Sequence, residues 1–442
     1  MLTSLVAAQS DDSNSPRLPQ ELIDYILDNL DGNNRILKQC CLVCKAWLPR
    51  SSQTLFSTFL WPSCRHAWDR LYTHPRPMRC KCVRDLADYD NLLEVLSAST
   101  RIRLMVQCLK LNPIRFHPEG TYTYKMMNFR IFPLIINLLP RLRLLEFHDW
   151  HGWTDPFPEV LPTLPAGTVC AISEIRFNGC RHYIPDASDV LSMFSHVHRL
   201  SLGCYESTPP EPLELIEPTR QPGNGLHITC IEFGEQNSPD SWFPWLQRNA
   251  DLSSLRQVVF HRLVDYDKMR GFLASATSVC SLAYVMHRHE TGNKQTVSPI
   301  PPTHAIASVR IRYTCQLSAT QPKTSLALAR HLRDILAPSL RTLTIAIEVH
   351  AYVWWHGDPI DTLFNRLSAW FLCQEWGVFR GCSSLRELHI KLRLLRSGGS
   401  GVERFVQNKG RSARVVEQAI AQFLEDWAKA VLRVSVEEYN EY

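Results

Sequence analysis

The stretch LRTLTIAI, residues 340–347, alternates polar and apolar side chains, with Leu343, Ile345 and Ile347 at every second position. An alternation with a period of two is typical of a β-strand that buries one face. The stretch LRELHIKL, residues 385–392, repeats the pattern, and several others share the form Leu-x-x-Leu-x-Leu/Phe or a close variant. The recurrence of one strand-like unit indicates a chain built from structural repeats.

Ten such segments follow one another from about residue 100 onward, mostly about 25–35 positions apart. They are MVQCLKL (105–111), LRLLEF (142–147), SEIRF (173–177), VHRLSL (197–202), ITCIEF (228–233), LRQVVF (255–260), VCSLAYV (279–285), IASVRIRY (306–313), LRTLTIAI (340–347) and LRELHIKL (385–392). A period of this length marks a solenoid, in which each unit buries its apolar face on its neighbours.

Helical patterns lie between the strand-like segments. The predicted helices are Lys125–Leu139, Ala187–Ser195, Trp242–Arg248, Tyr266–Ala274, Leu326–Leu336 and Asp361–Phe379, with a capping helix at Ala413–Leu432. One strand and one helix per unit resembles an irregular leucine-rich repeat, and Asn178, Cys180 and Cys204 resemble its ladder position. The predicted fold class is α/β (α+β overall). An ordinary α/β domain also alternates strands with helices and stays open as the alternative.

The N-terminal segment Arg17–Leu60 has a different pattern, that of three short helices. Their apolar positions are Leu22, Ile23, Ile26, Leu27 and Leu30, then Ile36, Leu37, Cys40, Cys41, Val43, Cys44 and Trp47, then Leu55, Phe56 and Phe59. A module of about 45 residues has little core of its own and gains most by packing on something else. It is therefore either a docking module or the first helices of a larger core.

The residues of this segment resemble the F-box, the docking motif of substrate receptors in cullin-based ubiquitin ligases. The matching positions are Leu18-Pro19, Glu21, Ile23, Ile26, Leu30, Val43-Cys44-Lys45-Ala46-Trp47 and Leu55-Phe56. The form LVCKAWLP followed by LF is most similar to F-box proteins of mushroom-forming fungi. Asn33–Ile36 replaces the acidic-aliphatic pair that usually opens the second helix.

The resemblance implies a substrate-recognition subunit that binds a Skp-type adaptor, and through it a cullin, and holds an unknown substrate protein. The residues expected to face the adaptor or to shape the module are Leu18, Pro19, Ile23, Ile26, Leu27, Val43, Cys44 and Trp47. The predicted organisation is a disordered tail (1–15), an F-box (16–62), a helical linker (63–100) and a leucine-rich-repeat-like domain (101–436). A repeat scaffold without a role in ubiquitination, or an unrecognised enzyme, are the alternatives.

Basic charge is concentrated near the C-terminus. Residues 380–414 hold nine Lys or Arg and two Asp or Glu, whereas the whole chain has a net charge of +5. Such a segment is a solvated face or a surface for an acidic or phosphorylated partner. The candidate substrate contacts are Trp354, Trp355, Arg393 and Arg396. Nucleic acid is not an expected partner, because no aromatic–basic interleaving in a recognised fold accompanies the charge.

Signatures of catalysis are missing from the sequence. We find no Gly-rich phosphate loop, no His-Glu-x-x-His and no Gly-x-Ser-x-Gly turn, so no catalytic residue and no cofactor is predicted. Cys41 and Cys44 have redox spacing but lie in an apolar helix, which favours inert packing thiols. The Cys and His residues at positions 64, 66, 74, 80 and 82 lack the usual spacing of zinc ligands, so no metal site is predicted.

The cysteines and the N-terminus indicate an intracellular protein. Fifteen cysteines, an odd number scattered over 442 residues, suit free thiols in a reducing compartment better than a disulfide framework. The first residues lack the basic segment of a signal peptide, and no stretch has the roughly 20 apolar residues that span a bilayer. We expect a cytoplasmic or nuclear location, or both, and no membrane partner.

Overall fold

The computed structural model describes twenty-two stretches of the chain, and the structural description below is confined to them. They are residues 18–30, 33–43, 47–61, 89–111, 114–116, 122–124, 131–148, 171–181, 184–205, 225–234, 239, 242–262, 264–286, 300, 306–316, 328, 331–333, 339–350, 379, 384–395, 409–421 and 432–439.

Three helices open the described chain: α1 (Gln20–Asp28), α2 (Asn34–Val43) and α3 (Leu48–Ser57). Pro19 is the N-cap residue of α1, where its missing N–H costs no helical hydrogen bond. Asn29 closes the same helix, since its side-chain amide donates to the carbonyl oxygen of Tyr25 at 2.8 Å. The three helices predicted from the N-terminal sequence are therefore present.

A long, open, parallel sheet forms the rest of the fold. Its strands are β1 (Thr58–Trp61), β2 (Cys108–Leu111), β5 (Leu144–His148), β6 (Ala171–Arg181), β7 (His196–Tyr205), β8 (Leu226–Phe233), β9 (Ala250–Asp251), β10 (Gln257–Phe260), β11 (Ser281–Met286), β12 (Ser308–Gln316), β13 (Thr342–His350), β14 (Glu387–Leu395) and β15 (Leu432–Tyr439). Apart from the short β9, which pairs with the start of β8, the strands lie in chain order. A separate antiparallel pair is formed by β3 (Ile114–Phe116) and β4 (Tyr122–Tyr124).

Helices cover one face of this sheet. Those after the N-terminal three are α4 (Tyr89–Ala98), α5 (Thr100–Met105), α6 (Ile131–Asn137), α7 (Ile184–Ser192), α8 (Trp242–Asn249), α9 (Tyr266–Ser275) and α10 (Lys409–Ala421). Their apolar side chains and the inward-facing residues of the strands form one continuous core. Aromatic rings stack between neighbouring strands in this core, as Phe147 does on Phe177 with ring centroids 5.1 Å apart.

The opposite face of the sheet is polar, and this explains the alternation in the sequence. A parallel sheet covered on both faces has continuous apolar runs, whereas a sheet with one open face alternates. In β13, for example, Leu343, Ile345 and Ile347 are buried in the core while Thr342 and Thr344 lie on the other face. All ten segments predicted as strands contain one, and the α/β class is confirmed.

Two predicted helices extend into residues that form strands. Phe59 was assigned to the third helix, yet α3 ends at Ser57 and Phe59 lies in β1, which pairs with β2. The capping helix predicted at Ala413–Leu432 is α10, Lys409–Ala421, and Leu432 begins the last strand, β15. In both places backbone pairing with an adjacent parallel strand prevails over local helical spacing.

Other predictions are only partly covered by the described residues. Within the predicted helix Leu326–Leu336, residues 328 and 331–333 are helical, and of Asp361–Phe379 only Phe379 is described. The Cys and His residues between positions 64 and 82 lie outside the described stretches. The boundary at residue 62 stays a prediction, and β1 already belongs to the sheet within the range assigned to the helical module.

Candidate docking surface on the N-terminal helices

Helices α1, α2 and α3 share a small core that is separate from the core of the sheet. Ile23 and Leu27 from α1 pack against Leu37 and Cys40 from α2, and all four side chains are buried. The partly buried side chains around this core are Leu30, Trp47 and Leu55. The short segment thus forms a defined module whose buried stripe uses only some of its apolar residues.

Other apolar residues of the same two helices, together with Leu18 just before α1, are exposed. We call this set the N-terminal apolar surface, and its large, exposed members are Leu18, Leu22, Tyr25, Ile26, Ile36, Leu42 and Val43. On α1 the exposed Leu22, Tyr25 and Ile26 are spaced i, i+3 and i+4, one helical stripe beside the buried one, and Leu18 lies two residues before the helix. Clustered exposed apolar side chains mark interaction sites, whereas single ones are ordinary.

The eight residues predicted to face the adaptor or to shape the module divide into two groups. Leu18, Pro19, Ile26 and Val43 are exposed. In contrast, Ile23 and Leu27 belong to the module core and Trp47 packs against it, while Cys44 lies outside the described residues. The first group is free for contact with a partner, and the described members of the second group hold the helices together.

Sequence reasoning missed four members of the N-terminal apolar surface, which are Leu22, Tyr25, Ile36 and Leu42. The sequence analysis gives Leu22 and Ile36 as apolar helix positions but not as adaptor contacts, because a wide apolar sector does not indicate which part of it is covered. Tyr25 follows Leu22 by three positions and precedes Ile26, which was the available signal for a second apolar stripe.

The module is joined directly to the sheet. Helix α3 continues into β1 without an intervening residue, and the N–H of Gln107 donates to the carbonyl oxygen of Ser57 at 2.8 Å. A guanidinium N–H of Arg101, on α5, donates to the buried hydroxyl of Ser52 at 3.4 Å. The N-terminal apolar surface is therefore carried on a helical unit that is continuous with the first strand.

Ion pairing fixes α3 against α1. Arg50 donates to both carboxylate oxygens of Asp28, through Nε at 2.8 Å and through Nη2 at 2.6 Å. The hydrogen bond to Asp28 raises the pKa of Arg50 above its ordinary value. Because both side chains are partly exposed, we treat this pair as an orienting contact rather than a large source of stability.

Substitutions at two neighbouring residues of α1 should distinguish a residue that stabilises the module from one that is available for docking. Leu27 is 0% exposed and Ile26 is 42% exposed. We expect Leu27→Ala to destabilise the module by about 2 kcal/mol, because it opens a cavity in a small core. Ile26→Ala should change the stability by less than about 0.5 kcal/mol. Native-state hydrogen exchange of α1–α3 measures both changes in stability. Equal effects of the two variants would contradict the assignment of Leu27 to the buried face and of Ile26 to the exposed face.

The polar face of the sheet carries ion clusters centred on single glutamates. Glu146 on β5 is the first, and its carboxylate lies 2.8 Å from Lys110 Nζ and 2.7 Å from His148 Nε2. The amide of Asn178, on the next strand, donates to the same carboxylate at 2.7 Å. A buried acid is thus balanced by donors from three adjacent strands.

Two further clusters repeat this arrangement along the sheet. Glu232 on β8 pairs with His261 and lies 3.7 Å from Arg199 on β7. Glu348 on β13 accepts from Arg312 on β12, and its Oε1 lies 3.6 Å from Arg393 Nη1 on β14.

Arg393 is the one candidate substrate contact within the described residues. It lies on the polar face and reaches Glu348, so at least part of its charge is used within the sheet. Trp354, Trp355 and Arg396 lie outside the described stretches. Of the four candidates, the described geometry therefore places only Arg393 on a face that a partner could approach.

The Glu146 cluster predicts a defined dependence of stability on pH. Burial opposes ionisation of this carboxyl, but hydrogen bonds from His148 and Lys110 outweigh it and lower the pKa of Glu146 to about 2, from an ordinary 4.5. A lowered pKa stabilises the fold above pH 4.5, and that contribution is lost as the pH falls toward 2. We expect wild type to exceed Glu146→Gln by about 1–3 kcal/mol at pH 6, with the difference shrinking below pH 4.5 in urea unfolding. A difference that is constant over pH would contradict this account.

Titratable groups with perturbed pKa values do not converge on a cavity in the described part of the chain. Burial raises the pKa of the Cys108 thiol to about 11 and lowers the pKa of His331 to about 4. The Tyr284 hydroxyl and His331 Nε2 are 2.6 Å apart inside the core. Burial of the side chains is the main cause of these shifts.

Comparison with known proteins gives no assignment: no protein-family model matches the sequence, and no curated protein matches it. No helix among the described stretches is long and apolar enough to cross a lipid bilayer. Within the same stretches, no group of three His, Cys, Asp or Glu side chains is arranged to hold a metal ion.

Proposed function

We propose that this chain is the substrate-recognition subunit of a Skp–cullin–F-box type ubiquitin ligase. Helices α1–α3 would act as the F-box and bind a Skp-type adaptor, and the sheet-containing body would bind a substrate protein. The observation that carries the proposal is the N-terminal apolar surface, which stays exposed although the module has a core of its own. Exposed apolar side chains on a folded module are best explained by a partner.

The body would be a leucine-rich-repeat-like solenoid. Three features support this: strands that pair in chain order, parallel pairing throughout that series, and helices that pack on one face. The recurrent Leu-Arg at 142–143, 255–256, 340–341 and 385–386 precedes four of the strands at the same place in the repeat. A solenoid provides a long open surface on which a protein partner can bind.

The ligase would act on its substrate by proximity. A substrate bound to the body is held near the ubiquitin-loaded conjugating enzyme, and its effective concentration there rises without any new reactive group. The chain itself would carry no catalytic residue and no cofactor. This role implies an intracellular location, in the cytoplasm, the nucleus or both.

Substrate binding is proposed for the polar face at β12–β14 and the neighbouring basic segment. Arg310, Arg312, Lys391 and Arg393 bring four cations to this part of the face, against the clustered Glu348 and the half-buried Glu387. Arginine forks suit carboxylate or phosphate groups of a partner. The candidate contacts Trp354, Trp355 and Arg396 remain part of this proposal.

A trapping experiment tests the receptor role in cells. The double variant Leu18→Asp with Pro19→Ala should lose the copurifying adaptor and cullin while substrates stay bound and accumulate. A point variant is preferable to removal of the first 60 residues, because that deletion would cut β1 and expose the edge of β2.

Reconstituted ubiquitination of a trapped protein then separates a receptor from a scaffold. If the chain is a receptor, the trapped protein should be ubiquitinated with the wild-type chain and not with the double variant. Adaptor binding that is unchanged in the double variant would contradict the F-box assignment, and a bound protein that is never modified would favour a scaffold.

A further inference from the structure

A cavity of about 450 Å³ opens where α3 meets the starts of β2 and β5. Its lining residues are Gln53, Gln107, Pro140, Arg141, Leu142 and Arg143. We propose that this cavity binds a phosphate-bearing ligand. Its volume lies within the range of roughly 300–1,000 Å³ that is typical of small-molecule pockets, so one phosphorylated side chain or one small organic phosphate fits.

Two arginines supply the charge that such a ligand needs. Arg141 and Arg143 are both exposed, and neither forms an ion pair or a side-chain hydrogen bond within the described part of the chain. A guanidinium donates through a planar fork that matches two phosphate oxygens. Two such groups beside one cavity can share a dianion without losing an existing partner.

The chain segments around the cavity add positive charge. Segments 47–57, 99–107 and 138–145, which form or flank the cavity, contain five arginines and no Asp or Glu. Of these arginines, Arg50 is neutralised by Asp28, and Arg101 lies next to the cavity wall through its hydrogen bond to Ser52. The nearest acid on the neighbouring strand is Glu174, whose N–H donates to the carbonyl oxygen of Arg143 at 2.8 Å and whose carboxylate pairs with Arg176 at 2.7 Å. An anion entering the cavity therefore meets more positive than negative charge.

The backbone behind the cavity is held in place before any ligand arrives. The carbonyl oxygen of Gln107 accepts from the N–H of Arg143 at 2.7 Å and from that of Leu144 at 3.0 Å. Its own N–H donates to the carbonyl oxygen of Ser57 at 2.8 Å. The side-chain amides of Gln53 and Gln107 supply further donors on a fixed frame, which lowers the entropic cost of binding.

The ligand would connect the helical module with the sheet, because Gln53 belongs to α3 and the arginines precede β5. Occupancy should therefore stabilise the junction between the two units by mass action. This inference is independent of the proposed adaptor and substrate, since none of the lining residues belongs to the N-terminal apolar surface or to the face of β12–β14.

Calorimetric titration of the full chain tests the proposal, with pyrophosphate and a phosphoserine peptide as probes and the unphosphorylated peptide for comparison. We expect saturable binding of the phosphate probes and a tenfold or greater loss of affinity in Arg141→Gln with Arg143→Gln. A peptide that binds much more tightly than pyrophosphate identifies a phosphoprotein as the source, and the reverse order identifies a small phosphate.

The chain offers a matched control in Arg341→Gln with Arg386→Gln. Like Arg143, these exposed arginines follow a leucine immediately before a strand, and the N–H of Arg341 donates to the carbonyl oxygen of Ala307 at 2.8 Å, as that of Arg143 does to Gln107. The control pair should retain the affinity. Equal loss in both pairs, no saturable binding, or equal binding of the unphosphorylated peptide would overturn the proposal.

Discussion

Leu22→Asp is expected to weaken binding of a Skp-type adaptor to the full chain by about 100-fold. The side chain is 49% exposed and lies within the N-terminal apolar surface on α1. A carboxylate buried there against an apolar partner loses its hydration without gaining an ion pair, at a cost of about 3 kcal/mol. Because Leu22 is outside the module core, the substitution should leave folding intact.

Leu134→Asp is the matched control for this prediction. Leu134 is also 49% exposed and also helical, but it lies on α6 and not on the N-terminal module. Its substitution should leave the affinity for the adaptor within about twofold of wild type. Titration of both variants with a purified fungal Skp-type adaptor measures the two affinities. The prediction fails if Leu134→Asp weakens binding as much as Leu22→Asp does.

Glu348→Ala is expected to destabilise the body by about 3 kcal/mol in urea unfolding. This carboxylate is 3% exposed and joins Arg312 and Arg393 from the two flanking strands. Its removal leaves two neighbouring guanidinium groups without their shared anion, and truncation of a buried charge partner is far more costly than loss of a surface pair.

Glu387→Ala provides the comparison on the same face. Glu387 is half-buried on β14, and no ion pair joins it to another residue in the described stretches. Its removal should cost less than about 0.5 kcal/mol. Glu348→Gln should fall between the two variants, since it keeps the shape and one acceptor. Similar losses for Glu348→Ala and Glu387→Ala would show that the cluster contributes no more than an ordinary surface charge.

The strands could be predicted from the sequence because one face of the sheet is open. Several strands keep a buried residue at every second position, as Leu388, Ile390 and Leu392 do in β14, and this pattern depends only on local sequence. The solenoid interpretation implies that successive strands pair side by side, and the strands lie in chain order apart from β9.

The terminal strands could not be predicted in the same way. β1 has four residues, and Phe59 follows Leu55 by four positions, so local spacing favours a helix until pairing with β2 is known. β15 begins at Leu432, where the predicted last helix was expected to end. At both ends a strand gains its stability from one neighbour that is distant in sequence, which local periodicity does not register.

The docking surface was only half predictable for a related reason. Local spacing identified Ile23, Ile26 and Leu27 as apolar positions on α1, but the packing of α2 and α3 decides which of them is covered. Leu27 packs with Leu37 and Cys40 in the module core, whereas Ile26 is exposed. The cavity beside Arg141 and Arg143 was beyond sequence reasoning, because it exists only where α3 and two strands meet.

Hydrogen exchange of the full chain with and without a purified Skp-type adaptor tests the central proposal most directly. Adaptor binding to the N-terminal apolar surface predicts slower amide exchange in Leu18–Asp28 and Asn34–Val43, with unchanged exchange in Leu226–Phe233 on the sheet. Absence of a complex at micromolar concentrations, or protection confined to the strands of the body, would contradict it.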